Sequence, residues 1–503
     1  MNFNSVEYII FLPIAVLLYF AVPKKIKNLY LLALSYYFYW CSEVRFFLIL
    51  PVLTLMTYLC ALALDKSQGK KRKAIFLFTL IANFAVLIFF KYNRFFLSQI
   101  STLSGLQFNK SKWFLPMGLS FYLFTSVGYI IDVYLNKQKA ERNLVKYGVF
   151  IAFFPHVLMG PIDRAGSFLP QLEQEHTFDY SRTVKALQLM AIGFFKKIAV
   201  ADILAMFISQ VHSDLTSYTG LMLIFTAFAF SIQLYADFSG YSDIARASAM
   251  LLDFKIMENF NVPYLSTSFS QFWSRWHISL SSWFQDYIFT PFVWVNPLKK
   301  LPIIGKYFEN PPVLPAIALV FISSGVWHGD TWNFVIWGAF HAVYRIGEDL
   351  MRKYYKKPDK HPKPLKYWGK VAWVFSLVTF SQIFFRSKTI QGAVYYITHL
   401  FVDLSINTFS QGLYNSIKGG FDATPILIYA YIAYCIIVVA VLIYMDFYRN
   451  FRLKGKCLTT AFITMKPYKR WLCYYGLVAL IMAGFIMNNG GYGASASFIY
   501  NNF

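Results

Sequence analysis

The sequence predicts an all-α, polytopic transmembrane protein, on three observations. Of 503 residues, 57% are hydrophobic, 20% aromatic and 14% charged, about half the charge of a soluble domain. Apolar stretches long enough to cross a hydrocarbon core of ~30 Å recur from residue 7 to residue 488. The Lys and Arg residues behind the net charge of +23 sit in short loops between those stretches. That distribution follows the positive-inside rule and not the single basic stripe of a nucleic-acid binder. Lipid is therefore the expected surrounding and nucleic acid is not a partner.

The elements follow in chain order. "YIIFLPIAVLLYFAV" is preceded by Glu7 and followed by Lys24, Lys25 and Lys27, the reverse of a secretory signal's charge order, so it reads as a retained first span. An apolar hairpin at 28–64 joins the basic loops 22–27 and 65–73, and the pair 74–91 and 115–134 joins the second loop to a third at 136–142. Further basic loops lie at 352–366 and 449–470. All are assigned to the cytoplasm. Parity then puts the N-terminus outside, together with the Asn-, Ser- and Gly-rich residues 404–423, and a last span at 471–488 leaves the C-terminus outside. About eleven to thirteen segments are expected to cross or enter the bilayer. Without a soluble domain or a repeat, residues 1–503 read as one membrane domain, with its core at about 115–345 and C-terminal helices over 371–503. Five cysteines, odd in number and lacking a CxxC pair, support neither a disulfide framework nor zinc.

Residues 150–340 depart from plain spanning helices. Gly, Pro and polar residues crowd "FFPHVLMGPIDRAG" (153–166), "LYADFSGYSDIAR" (234–246) and "FISSGVWHGDTW" (321–332). Broken backbone at membrane depth is tolerated only where protein or a water-filled cavity surrounds it. Broken or re-entrant helices around a central tunnel are the consequence.

His328 ends an apolar run and is flanked by Gly325 and Gly329, with Asp330 placed to cap the helix that follows. An ionisable group there costs ~2.5 to 3.5 kcal/mol when charged, and such groups usually face a functional cavity. The alternative is a neutral imidazole bonding a carbonyl freed by the break. His277 lies in "SQFWSRWHISLSSWFQDYIF" (270–289), where Phe272, Trp276, Leu280, Trp283 and Tyr287 form an apolar stripe and Ser274, His277, Ser281 and Gln285 a polar one. Such a helix lies at the interface as an aromatic anchor, or re-enters with its polar stripe towards a cavity. Periodicity alone slightly favours the anchor.

The remaining histidines read as structural or solvated. His341, thirteen residues beyond His328, shares no face with it. His156 and His399 lack strong polar company, and His176, His212 and His361 are expected in solvent. Gln233, Asp237 and Asp243 form a second buried polar cluster, and Asp163 with Arg164 a third, most of them structural. Lys196 and Lys197 mark a helix end, snorkelling to the interface or holding an anion. No GxSxG, P-loop, HExxH or di-iron histidine cluster is present, so no metal is expected and a metal-free histidine mechanism remains.

Several strings together resemble the membrane-bound O-acyltransferase family, and within it the bacterial alginate O-acetyltransferase branch. They are "LPMGLSFYLFTSVGYIIDVYL" (115–135), "GFFKKIAVAD" (193–202), "ADFSGYSDIA" (236–245), "FWSRWHISLSSWFQDYIFTPF" (272–292), "SGVWHGDTWNFVIWGAFHA" (324–342), "SQIFFRS" (381–387) and the terminal "SFIY" (497–500). The resemblance implies helices around a tunnel, His328 as the family histidine and His277 as the second active-site histidine. It implies transfer of an acetyl group from a cytoplasmic thioester, acetyl-CoA, to an exported or cell-surface polysaccharide in the bacterial plasma membrane. A separate extracytoplasmic SGNH-type esterase or transferase would complete delivery. Asp237, Asp286, Trp327 and Arg275 are then the substrate or supporting candidates. D-alanyl transfer to teichoic acid and a non-enzymatic polysaccharide or lipid-linked transporter are the competing readings.

Overall fold

The computed structural model describes residues 1–105, 114–300, 311–354, 364–420 and 424–490, and among these all regular structure is helical. The basic loop around His361 and the terminal "SFIY" lie outside the described residues. Two compact units are formed, one by Met1–Met190 with Tyr241–Glu258 and the other by Ala191–Gly240 with Asn259–Phe503.

The first unit contains α1 (Val6–Ala21), α2 (Lys27–Ser42), α3 (Ile49–Lys66), α4 (Gly69–Ser104), α5 (Leu119–Tyr134), α6 (Leu144–Ala152), the short α7 (Ala165–Phe168) and most of α8 (Tyr180–Phe194). Ser5 caps α1 by accepting from the Tyr8 amide, one of the donors a helix start leaves unpaired. Towards lipid α1 presents Ile9, Ile10, Ile14 and Leu17, all exposed, while Tyr8, Leu12 and Ala15 are buried. A turn ahead of α5 needs glycine: Gly118 has φ +73°, and a Cβ there would stand 2.3 Å from the Val157 carbonyl oxygen.

Three histidine assignments change in this description. His156 is buried with Asp163, 3.6 Å from its Nδ1, and its Nε2 lies 3.0 Å from the Phe150 carbonyl. Asp163 therefore serves His156 and the Met257 amide (2.9 Å), while Arg164 donates to the Ile162 carbonyl. His176 is buried too, stacked on Phe254 and 3.3 Å from Asp253. His212 is half-buried and bonds its own helix at the Ile208 carbonyl. His176 finds its partner far along the chain at Asp253, whereas Asp163 lies in the same string as His156 and meets it because the backbone turns back between them.

The second unit carries α9 (Ile203–Ser213), α10 (Gly220–Leu251, its last third in the first unit), α11 (Phe269–Trp273), α12 (Ile278–Phe284), α13 (Thr290–Val295), α14 (Val313–His328), α15 (Trp332–Tyr354), α16 (Pro364–Arg386), α17 (Ile390–Thr398), α18 (Ile406–Gly420), α19 (Pro425–Phe447), α20 (Thr459–Thr464) and α21 (Pro467–Gly490). Among the described residues six helices are long and apolar enough to span: α3, α4, α10, α16, α19 and α21. Shorter apolar helices are α1, α5 and α14. Residues 404–423, read only as an external polar stretch, contain α18.

Lys196 and Lys197 are buried and do not end a helix. They lie in a π-helical stretch, Phe195–Asp202, that joins α8 to α9. Hydrogen bonding from i to i+5 brings Asp202 beneath Lys197, 2.8 Å from its Nζ, and α10 contributes Asp237 at 2.7 Å. Gly240 lets α10 approach, since a Cβ there would be 2.9 Å from the Gly193 carbonyl. Asp237 is thus committed to Lys197, while Asp243, on the part of α10 in the first unit, lies 3.6 Å from Arg246.

Candidate active site

α14 stops at His328 because Gly329 is fully extended, with φ −165° and ψ 175°. The helix break expected around His328 is present. The cap is one residue later than expected: α15 begins at Trp332, so Thr331 flanks it and Asp330 stands further out in the turn. Backbone meets backbone between the two helices. A Cβ on Gly325 would lie 2.3 Å from the Phe334 carbonyl oxygen, and one on Gly338 2.4 Å from that of Phe321. Small residues that permit such approach are the usual device of helix packing in membranes.

This apposition fixes the imidazole of His328. It is buried among three rings, edge-on to Trp327 (centroids 4.8 Å), Trp337 (4.9 Å) and Phe385 (5.1 Å). Trp337 in turn packs on His341 at 4.7 Å, whose Nε2 lies 2.9 Å from Ser381 Oγ.

The stretch 270–289 is not one amphipathic helix. α11 ends at Trp273, and His277 adopts the left-handed region, φ 42° and ψ 55°, before α12 begins at Ile278. A histidine there is uncommon and strained, by an amount of order 1–3 kcal/mol, and such residues cluster at functional sites. Val262 shares the feature, at φ 51°. The predicted apolar stripe is buried as a whole. Of the polar stripe, Ser274, Ser281 and Gln285 line a cleft of about 440 Å³ with Trp273, Phe321 and Ser324. His277 leaves that stripe because the backbone break turns it elsewhere.

A second backbone segment holds it. The Ile278 amide donates to the Asn259 carbonyl (2.9 Å), the Asn261 amide to the Arg275 carbonyl (2.9 Å), and the Ser279 amide to Asn259 Oδ1 (3.1 Å). The same Oδ1 faces His277 Nδ1 at 3.4 Å, which makes that ring nitrogen the protonated one if it donates. Phe238 stands edge-on to the imidazole at 4.6 Å.

Trp327 joins the two histidines, its indole 4.8 Å from His328 and 6.4 Å from His277 between ring centroids. Three predicted residues are therefore brought together. Three others are not: Asp237 is paired with Lys197, Asp286 is exposed, and Arg275 is half-buried with its guanidinium on the Val262 carbonyl and Asn450 Oδ1. Asn259 was missed, being a loop residue without periodicity eighteen positions from the ring it supports.

The fold and this site define a class: a multi-pass helical membrane protein with buried histidines where its helices break. The chain matches the model of the MBOAT, or membrane-bound O-acyltransferase, family over residues 31–386. It is 33% identical over 441 residues to a probable alginate O-acetylase AlgI of Azotobacter vinelandii, covering 86% of this chain and 83% of that protein. A peptidoglycan O-acetyltransferase of Helicobacter pylori is 30% identical over 431 residues, 78% of each chain. A teichoic acid D-alanyltransferase of Streptococcus thermophilus matches at 29% over 282 residues, 53% of this chain and 66% of its own. The chain belongs to the membrane-bound O-acyltransferase family, and it is an acyltransferase.

Proposed function

We propose that this acyltransferase takes an acetyl group from a cytoplasmic thioester, acetyl-CoA, and passes it across the bacterial cytoplasmic membrane for O-acetylation of an exported polysaccharide. One observation carries the assignment of the centre: two buried histidines on different broken elements meet through Trp327. The O-acetylating relatives cover most of the chain, and the D-alanylating one about half. This favours acetyl over D-alanyl.

His328 acts as the base. Its neutral imidazole takes the proton of the acceptor hydroxyl as that oxygen attacks the thioester carbonyl, the C–S bond breaks, and the proton passes to the departing thiolate. Such general-base catalysis contributes about 100- to 10,000-fold. His277, held by Asn259, orients a substrate or donates to the developing oxyanion. An extracytoplasmic SGNH-type enzyme completes delivery to the sugar, and both termini lie on its side of the membrane. The experiment is His328→Ala with membrane insertion and abundance measured, followed by assay of polysaccharide O-acetyl groups. Acetylation at the parent level would refute the reading.

A further inference from the structure

We infer that Arg275, Arg452, Lys454 and Lys456 form the seat for the phosphate groups at the nucleotide end of the thioester donor. The inference rests on the acetyl-CoA reading above, and names where that donor is held.

Three backbone segments knot together beside His277. Residues 259–262 pair with 275–279, as described, and the loop after α19 closes over them. There a π-helical turn, Tyr448–Arg452, ends α19. The buried Arg449 donates to the Phe260 carbonyl (3.2 Å) and the Gly455 carbonyl (3.4 Å). Lys454 and Gly455 both have positive φ, 49° and 82°, so the loop curls back, and a Cβ on Gly455 would stand 3.2 Å from the side-chain Nδ2 of Asn261. Arg275 then reaches Asn450 at 3.2 Å.

The charge at this knot is unbalanced. Arg275 is half-buried, yet its guanidinium is held by a carbonyl and an amide oxygen, and among the described residues no carboxylate lies within ion-pair distance of it. The same is true of Arg452, Lys454 and Lys456, all exposed. Asp446, on the turn before, accepts from the Tyr235 hydroxyl at 3.0 Å. Burial works against the charge on Arg275, Tyr367 offsets part of that cost, and the neighbouring Arg449 adds to it. A guanidinium kept charged against two such costs, on the edge of solvent, is a donor set awaiting an anion.

Location selects the anion. The loop 449–470 and the loop before α16 are both basic, which the positive-inside rule places in the cytoplasm. The start of α16 reaches this loop, Tyr367 and Trp368 packing on Phe451 and Phe447. The cation cluster therefore lies on the side from which the donor comes, and Arg275 is two residues from His277 in sequence. A ligand with several phosphates at one end and a thioester on a long arm at the other suits a cluster of four cations joined to the reacting centre by a rigid backbone clamp. Phosphate is also the headgroup chemistry of anionic lipids, so the test must part the two sources.

The full chain, in nanodiscs of zwitterionic lipid, is assayed with acetyl-CoA and with the acetyl thioester of N-acetylcysteamine, which carries no phosphate. The variants are Arg275→Gln and the pair Lys454→Gln with Lys456→Gln. The ratio of kcat/KM for acetyl-CoA to that for the short thioester is expected to fall about tenfold or more in each, the value of one charge-assisted phosphate contact. Adenosine 3′,5′-bisphosphate is expected to inhibit the parent and to lose potency in the variants. An unchanged ratio overturns the inference: equal losses on both donors would mean that the cations only support the fold around His277. A cluster effect that appears only when anionic lipid is added overturns it in favour of a headgroup. Parent activity with the short thioester keeps the acetyl-transfer reading standing when the phosphate seat fails, whereas inactivity with both thioesters removes the two together.

Discussion

Replacing Gly325 by alanine tests whether the α14–α15 contact positions His328. The added Cβ would sit 2.3 Å from the Phe334 carbonyl oxygen, about 1 Å inside ordinary van der Waals contact. The obstacle is backbone, so the helices themselves must part. Overpacking of this kind costs about 1–3 kcal/mol, which a membrane protein of this size tolerates. The larger effect is on geometry. His328 is three residues beyond Gly325 on the same helix, and its ring is set against Trp337 on the other. A displacement of ~1 Å in a reacting group can cost about 100-fold. Gly325→Ala is therefore expected to insert and accumulate while its kcat/KM for acetyl transfer falls about 100-fold. Gly338→Ala, whose Cβ would be 2.4 Å from the Phe321 carbonyl, should behave alike. Gly347→Ala on α15 meets nothing within 4 Å and serves as the control, with activity kept. Parent-level activity in Gly325→Ala and Gly338→Ala, in variants shown to be folded, would refute the argument.

Asn259→Ala removes the acceptor for the Ser279 amide and leaves a buried N–H unpaired, a loss of about 1–3 kcal/mol; kcat/KM should fall at least about tenfold, with abundance followed by immunoblot. Lys197→Met leaves Asp202 and Asp237 buried without their cation, a loss of about 3–5 kcal/mol, to be read as a lowered melting temperature in detergent. A parent-like melting curve would show that the ion triad adds nothing to the fold. Trp327→Ala opens a cavity beside both histidines, worth about 3–5 kcal/mol, and should abolish transfer, whereas Trp327→Phe keeps an aromatic ring there and should retain a measurable part of it.

What could be read from the chain followed physical scale. Spans such as α3, α4 and α19 announce themselves because crossing a bilayer demands about twenty apolar residues in a row. His328 was legible because it closes an apolar run and stands between two glycines, which signals a break. Trp327 came with it as a neighbour. The site's other half was hidden in backbone detail. No glycine or proline marks the turn at His277; the left-handed conformation is imposed by pairing with residues 259–261, and the 3.6-residue period drawn through 270–289 runs across a break it cannot detect. Lys197 misled for a related reason. In an α-helix Asp202 would face away from it, and only the wider π-helical turn stacks the two. Adjacent lysines in an apolar segment otherwise look like a helix end at the membrane surface.

The indole between the two imidazoles has a bearing on energy conservation. Facing histidines joined by hydrogen bonds or water would form a wire along which protons could hop. A membrane that stores a proton gradient loses it through any such wire, and an enzyme that hands an acyl group from one side to the other must open a path without becoming a leak. Trp327 sets an aromatic ring against both imidazoles, and under the proposed transfer its ring carbons offer a hopping proton no foothold there.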